Sequence, residues 1–295
     1  MRDHARKLSA SLALAAALLV ALAAHGAAPE GADAAGDPVL VGAGDIASCA
    51  GTGDGKTAGL LDGIPGTVFT TGDNAYEKGT ARQFRRCYGP TWGRHEARTR
   101  PVPGNHDYGT TGAAPYFDYF GANAGRPGRG YYSYDRGAWH VLALNSNLAS
   151  GVGSRQYEWA RADLARNPTA CAVAYWHHPV FSSGEHGGSG RMAGMWRLLD
   201  GAGVDVVVAG HDHDYERFAP QTSAGRANPN GIRQFVVGTG GRYLRPFSSV
   251  GPNSEARNST TFGVLKLTLH ASGYDWQFVP EPGKAFHDSG SAPCA

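Results

Sequence analysis

The chain has 295 residues, of which 41% are apolar, and its formal net charge is +2. This length suits one large domain or two small ones, and the apolar fraction is sufficient for a buried core. The small net charge and the lack of a basic run argue against a nucleic-acid partner. The 43 glycines and 17 prolines predict many loops and short strands rather than long helices.

The first residues predict a secretory signal peptide. The chain begins with a basic segment, continues with an apolar run over residues 8–24 and then has small residues. We expect the signal to occupy residues 1–28, with cleavage between about residues 24 and 36. An uncleaved anchor is the alternative, but the run is short for a membrane span and rich in alanine. The mature protein would be secreted, periplasmic or extracellular, without membrane contact.

The four cysteines of the chain are expected to form disulfides if the protein is exported. They are Cys49, Cys87, Cys171 and Cys294. An even number outside C-x-x-C spacing favours two disulfides over a zinc cluster. Three pairings are possible from the sequence alone.

The first apolar run leads into a glycine-rich turn, Gly42-Ala43-Gly44-Asp45-Ile46-Ala47. Its G-x-G-x-x-A pattern resembles a dinucleotide-binding loop, with Asp73 as a possible ribose-binding acid. In the alternative interpretation, the glycines permit a sharp turn that leaves Asp45 at the carboxyl end of a strand. Export weakens the first interpretation, because NAD is scarce outside the cytoplasm.

Apolar, β-branched runs that end in polar clusters predict the strands. These runs are VLVGAGD (39–45), TVFTTGD (67–73), TRPVPGNHD (99–107), ACAVAYWHH (170–178), DVVVAGHDH (205–213) and RQFVVGTGG (233–241). Hairpins are predicted at 131–145, turning at 135–137, and at 262–280, turning at 271–273. Helices are predicted at 155–166, with Ser154 as N-cap, and at 190–200, closed by Gly201 or Gly203. The order of these elements predicts mixed α/β layers without a linker after residue 38.

Polar side chains at the strand ends predict a metal site. Loops beyond the carboxyl ends of strands form the ligand crevice of an open α/β sheet. His211 and His213 would point to the same side of an extended chain, which is metal-ligand spacing. Seven candidate ligands result: Asp45, Asp73, Tyr76, Asn105, His177, His211 and His213. Seven exceed one tetrahedral zinc and suit two ions that share a carboxylate. Carboxylate and phenolate favour Fe(III), whereas amide and imidazole favour a softer divalent ion.

The series GD-x-A, GDNAY, GNHD, HHP and GHDHDYER resembles the calcineurin-like metallophosphoesterases, and among them the purple acid phosphatases of the short, single-domain form. The resemblance extends over residues 39–280 and implies a four-layer α/β/β/α sandwich with two mixed β-sheets. Many members of the wider superfamily carry histidine where this chain has Ala47. Tyr76 stands where the purple acid phosphatases have their tyrosine ligand. The dinucleotide interpretation of the first turn is thereby disfavoured.

The resemblance also implies a role for each site residue. Fe(III) would be bound by Asp45, Tyr76 and His213, and a divalent ion (Fe, Zn or Mn) by Asn105, His177 and His211, with Asp73 bridging. His106 would be the general acid and His186 a second group that contacts the phosphate. His178 is expected to be structural or at the rim. A metal-bound hydroxide would attack the phosphorus of a small phosphate monoester.

Several alternatives remain after this assignment. A phosphodiesterase or nucleotidase could use the same metals, and an inactive phosphate-binding protein could retain the same site. The loops at 108–130 and 182–190 would decide which substrates fit, and the oligomeric state is open. Since the loops after Asp45 and Asp73 must be neighbours, we expect a Cys49–Cys87 bridge. Cys171 would then pair with Cys294 in a C-terminal tail, residues 281–295.

Overall fold

The computed structural model describes residues 36–295. The predicted signal peptide, residues 1–28, lies outside these residues, so its assignment stays a prediction. Among the described residues, no helix combines the length and the apolar character needed to cross a membrane.

Thirteen strands are present in the described part of the chain. They are β1 Val39–Ala43, β2 Thr67–Thr70, β3 Thr99–Pro101, β4 Tyr132–Arg136, β5 Trp139–Ala143, β6 Cys171–Tyr175, β7 Val206–Ala209, β8 Tyr215–Phe218, β9 Arg233–Val237, β10 Ser254–Asn258, β11 Gly263–His270, β12 Gly273–Pro280 and β13 Ser289–Pro293. They form a six-stranded sheet in the order β13-β12-β11-β1-β2-β3 and a seven-stranded sheet in the order β10-β8-β9-β7-β6-β5-β4. Both sheets are mixed, which confirms the predicted two-sheet α/β sandwich.

Short helices connect the strands. The α-helices are α1 Gly53–Gly63, α2 Ala81–Gln83, α3 Ala114–Phe120, α4 Arg155–Arg166 and α5 Ala193–Gly201. A π-helical turn, Phe84–Tyr88, follows α2, and 3₁₀ turns occur at Trp92–Arg98, Asp107–Gly109, Thr111–Ala113, Gly121–Ala124 and Gly190–Met192. The prediction of α4 is confirmed, and the Ser154 hydroxyl accepts a hydrogen bond from the Tyr157 amide at 3.3 Å.

The core lies on both faces of the seven-stranded sheet. Val206 and Val208 of β7 face the other sheet and pack in one cluster with residues such as Leu265. Val207, which lies between them, faces outward and packs in a second cluster with Trp196 of α5. Because both faces are covered, these strands appear in the sequence as continuous apolar runs instead of alternating patterns.

Parallel pairing brings the predicted polar strand ends together. Strands β1, β2 and β3 are parallel neighbours in one sheet, and β6, β7 and β9 are parallel neighbours in the other. Their carboxyl ends therefore open on one rim, as the sequence predicts. The two predicted hairpins form as β4–β5 and β11–β12, although the first turns at Gly137-Ala138, slightly later than expected.

Both predicted disulfides are present. Cys49 pairs with Cys87 at a Cα–Cα distance of 5.0 Å, and Cys171 pairs with Cys294 at 5.4 Å. The C-terminal segment contains more structure than the sequence indicates, because β13 pairs along the edge of β12. Gly290 of β13 lies against Trp276, where a Cβ would approach the indole to 2.3 Å.

Removing the Cys49–Cys87 bridge with the double substitution Cys49→Ala/Cys87→Ala should lower the free energy of unfolding by roughly 2–4 kcal/mol. The bridge spans 38 residues and restricts the unfolded chain. Guanidinium unfolding measures the change. The matched Cys171→Ala/Cys294→Ala variant, which opens a span of 123 residues, should lose a comparable amount. An unchanged unfolding midpoint in the first variant would contradict this account.

Candidate metal centre

Three of the seven candidate ligands have an unusual backbone conformation. Five non-glycine residues in the described part have a φ in the left-handed region, and three of them are Asp45 (58°), Asp73 (52°) and His211 (72°). Such conformations cost free energy and concentrate at functional sites. Gly104 allows the segment after β3 to approach Asp73, because a Cβ at this position would lie 2.1 Å from Asp73 Oδ1.

One group of side chains joins the end of β1 to the loops after β2 and β7. The Tyr76 hydroxyl lies 2.7 Å from Asp45 Oδ1 and 3.2 Å from His213 Nε2. The His213 Nδ1 donates to the Tyr243 carbonyl at 2.8 Å, which leaves Nε2 directed at the site. A backbone carbonyl on one imidazole nitrogen is the usual way of fixing the other as a metal ligand.

A second group joins the ends of β3, β6 and β7. The fully buried His177 donates from Nδ1 to the Thr71 carbonyl at 2.8 Å. Its Nε2 lies 3.0 Å from Asn105 Oδ1 and 3.2 Å from His211 Nδ1. Three potential metal-ligand atoms, His177 Nε2, Asn105 Oδ1 and His211 Nδ1, are therefore directed at one another.

Asp73 lies between the two groups. Its Oδ2 is 3.0 Å from the Tyr76 hydroxyl and 3.3 Å from His177 Nε2. Its Oδ1 accepts the His106 amide at 2.7 Å. The carboxylate therefore contacts one member of each group, which is the position that a bridging ligand needs.

The electrostatics of the centre favour bound cations. Burial and the Asp45 and Asp73 carboxylates raise the pKa of the Tyr76 phenol well above its usual value. Burial lowers the pKa of His177, but the Asp73 carboxylate outweighs it and raises that pKa to about 9. Burial and the neighbouring His177 lower the pKa of His211 to about 2. The carboxylates thus attract positive charge that the protein side chains supply only in part.

The donor set fits metal ions. Ligand atoms of Asp45, Asp73 and His177 lie within 4.8 Å of one another, as do those of His177, His178 and His211. Carboxylate, phenol, amide and imidazole groups together suit a hard and a softer ion side by side. His178 is buried and bonds to the Ser146 hydroxyl at 2.8 Å, and its ring lies 4.5 Å from that of His211.

The two candidate catalytic histidines flank this centre. The His106 ring lies 4.5 Å from the Tyr76 ring, and its Nδ1 donates to the Glu77 carbonyl at 2.6 Å. The exposed His186 stacks on His211, with ring centroids 4.6 Å apart and an interplanar angle of 27°. The structure thus brings together all nine residues that the sequence singles out.

Other residues contribute to the site without having been identified in advance. The buried Asp107 accepts hydrogen bonds from the Asn74 and Gly104 amides, which fixes the loop of Asn105 against that of Asp73. The Arg242 guanidinium lies 4.9 Å above the Tyr76 ring. Asp107 lies inside the GNHD motif, so the sequence could have indicated that it belongs to the site. Nothing in GTGGR, which ends in Arg242, indicates a contact with Tyr76.

Comparison with known proteins relates this geometry to a family. The model of the calcineurin-like phosphoesterase family matches residues 36–215. Purple acid phosphatase 21 of Arabidopsis thaliana is 37% identical over 152 residues, which make up 47% of this chain and 34% of that protein. The chain thus spans about a third of the length of the first curated relatives that it matches.

Solved structures share the fold at low sequence identity. A purple acid phosphatase from yellow lupin seeds covers 87% of this chain, and this chain covers 53% of it, with a TM-score of 0.71 and 21% identity. GAP50, the anchor in the inner membrane complex of Plasmodium, gives a TM-score of 0.69 at 16% identity, with coverage of 88% and 90%. The fold alone therefore does not decide activity. The family match over residues 36–215, together with the two-sheet fold, places this chain in the calcineurin-like phosphoesterase family.

Proposed function

We propose that this chain is a secreted phosphatase that hydrolyses small phosphate monoesters at a dinuclear metal centre. One observation supports the proposal above all: seven potential ligands from five strand ends contact one another in a largely buried cluster around Asp73. Similarity to purple acid phosphatases supports the reaction class.

Each side chain would have a defined part in holding the metals. Fe(III) would be held by Asp45, Tyr76 and His213, and a divalent ion by Asn105, His177 and His211, with Asp73 shared. When bound, two such ions activate a water molecule for attack on phosphorus and neutralise charge on the phosphate oxygens. The carbonyls of Tyr243 and Thr71 would keep His213 and His177 in the required tautomers.

The flanking histidines would handle the proton and the phosphate. Because the Glu77 carbonyl accepts from His106 Nδ1, the proton that His106 gives to the leaving alkoxide would come from Nε2. That ring is part-exposed, so a substrate can reach it. His186, on the opposite flank beside His211, would contact a phosphate oxygen.

The proposed function is tested with p-nitrophenyl phosphate and its bis ester. We expect faster hydrolysis of the monoester, and loss of activity in Asp73→Ala with the fold retained. Preference for the bis ester would support the phosphodiesterase alternative. Phosphate binding without turnover of either ester would support an inactive phosphate-binding protein.

Tyr76→Phe should remove a visible charge-transfer band from the iron-loaded protein. The phenolate oxygen is the donor of that transition, and phenylalanine keeps the ring against His106 but lacks the oxygen. Absorption spectra of both proteins at equal iron content provide the measurement. A wild-type protein that is colourless and fully active with only zinc or manganese would disprove the iron assignment.

His106→Ala should slow the hydrolysis of alkyl phosphates on the order of 10²–10⁴-fold, because the leaving alkoxide loses its proton donor. The loss should be much smaller for p-nitrophenyl phosphate, whose leaving group needs no proton. His270→Ala is the control, since His270 ends β11 and pairs with Asp37 and Asp275. Equal losses for both substrates would contradict the acid role.

Removal of the metals by a chelator should lower the melting temperature of the wild-type protein. The buried Asp45 and Asp73 carboxylates would lose the cations that neutralise them, and metal binding to the native state alone adds stability. Calorimetry before and after chelation gives the shift, which Asp73→Ala should largely lack. An identical melting temperature with and without metal would contradict the assignment.

A further inference from the structure

Residues 211–216 alternate between two kinds of side chain. His211 and His213 face the candidate metal centre. The acidic residues of the same segment, Asp212, Asp214 and Glu216, are fully buried. Residues 211–214 form bends, with a left-handed φ at His211, and strand β8 begins only at Tyr215. The contacts of the acids place them behind the histidines, because Asp212 and Glu216 bond to the loop of residues 182–186 and not to the candidate metal centre.

This loop is held by hydrogen bonds to the acids. Asp212 Oδ1 accepts the His186 amide at 2.7 Å, and its Oδ2 accepts the Ser182 hydroxyl. Glu216 accepts the Ser183 amide at 2.8 Å and the Ser183 hydroxyl. Bonds to a carboxylate are stronger than those between neutral groups.

Gly184 shows how closely the loop sits on the acids. A Cβ at this position would lie 2.4 Å from Asp212 Cγ and 2.6 Å from Asp214 Oδ2. Real Cβ atoms essentially never show such distances, so with any other residue the loop and the acids must move apart. The close contact between the loop and Asp212 therefore requires glycine at position 184 as well as the carboxylate at position 212.

We propose that Asp212 is a positioning residue that fixes the imidazole of His186 for contact with the phosphate of the substrate. The inference rests on the proposed function. The His186 side chain is exposed, and its defined place beside His211 depends on how its backbone is anchored. Asp212 supplies that anchor directly from the segment between His211 and His213, so the two sides of the site move as one unit.

The same loop forms one further contact on its exposed side, an ion pair. Glu185 forms an ion pair with Arg245 at 2.8 Å, and the Arg245 amide donates to the His213 carbonyl at 3.0 Å. The Glu185 side chain is half exposed. An exposed ion pair contributes little, so the buried bonds to Asp212 are the principal restraint on His186.

A double-mutant cycle with Asp212→Ala and His186→Ala tests the inference. The readouts are KM and kcat for p-nitrophenyl phosphate, inhibition by inorganic phosphate, and metal content. Each single variant should raise KM and the phosphate inhibition constant, on the order of 10-fold, with metal content unchanged. The double variant should be no worse than His186→Ala, because coupled residues are non-additive. Asp212→Asn, which keeps an acceptor oxygen, should recover most of the affinity.

Two further variants keep the test decisive if Asp212→Ala fails to fold. Gly184→Ala retains every acid and candidate ligand but should separate the loop from Asp212 and reproduce the KM of His186→Ala. Asp163→Ala removes another buried carboxylate, which bonds to His140 at 2.8 Å, and should leave KM unchanged.

The outcomes separate this inference from the proposed function. Additive losses in the cycle, loss of metal in Asp212→Ala, or a wild-type KM in Gly184→Ala would each overturn the positioning role while the phosphatase assignment stood. A wild-type protein with neither phosphatase activity nor phosphate binding would overturn the proposed function, and this inference with it.

Discussion

The structure depends on how two buried carboxylates, Asp45 and Asp73, are placed beside one hydroxyl, that of Tyr76. The hydroxyl has a single proton, yet oxygens of both acids lie within 3.0 Å of it. Two carboxylates that share one neighbour inside a protein repel each other, and this repulsion is unfavourable unless cations are bound between them. Parallel strands β1 and β2 bring the acids to one rim, where both residues have a left-handed φ.

The surrounding elements serve to maintain this placement. The Cys49–Cys87 bridge joins the segments that follow the two acids, and Asp107 binds the Asn105 loop to the Asp73 loop. From the other sheet, backbone carbonyls orient His177 and His213. The acids behind His211 and His213 extend the same support to the loop of His186. A site assembled from separate loops is precise only if those loops are tied to one another.

The sequence was most informative where a local pattern reflects a local requirement. Continuous apolar runs such as DVVVAG mark strands covered on both faces, and the polar residue after each run marks the common rim. Strand β13 could not be predicted in this way, because Ser289–Pro293 lacks β-branched residues and forms by pairing with β12. Likewise, the partners of Asp212 are some 26 residues away in the chain, so its role depends on tertiary contact.

The proposed function requires that one chain hold two metal ions in a centre organised around Asp73. Metal analysis of the native protein and of Asp73→Ala is the decisive experiment for this centre. We predict about two ions per chain in the wild-type protein, one of them iron, and a loss from both positions in the variant, since Asp73 contacts both groups of ligands. A native protein with one ion or none, or an Asp73→Ala variant that keeps both ions, would contradict the account.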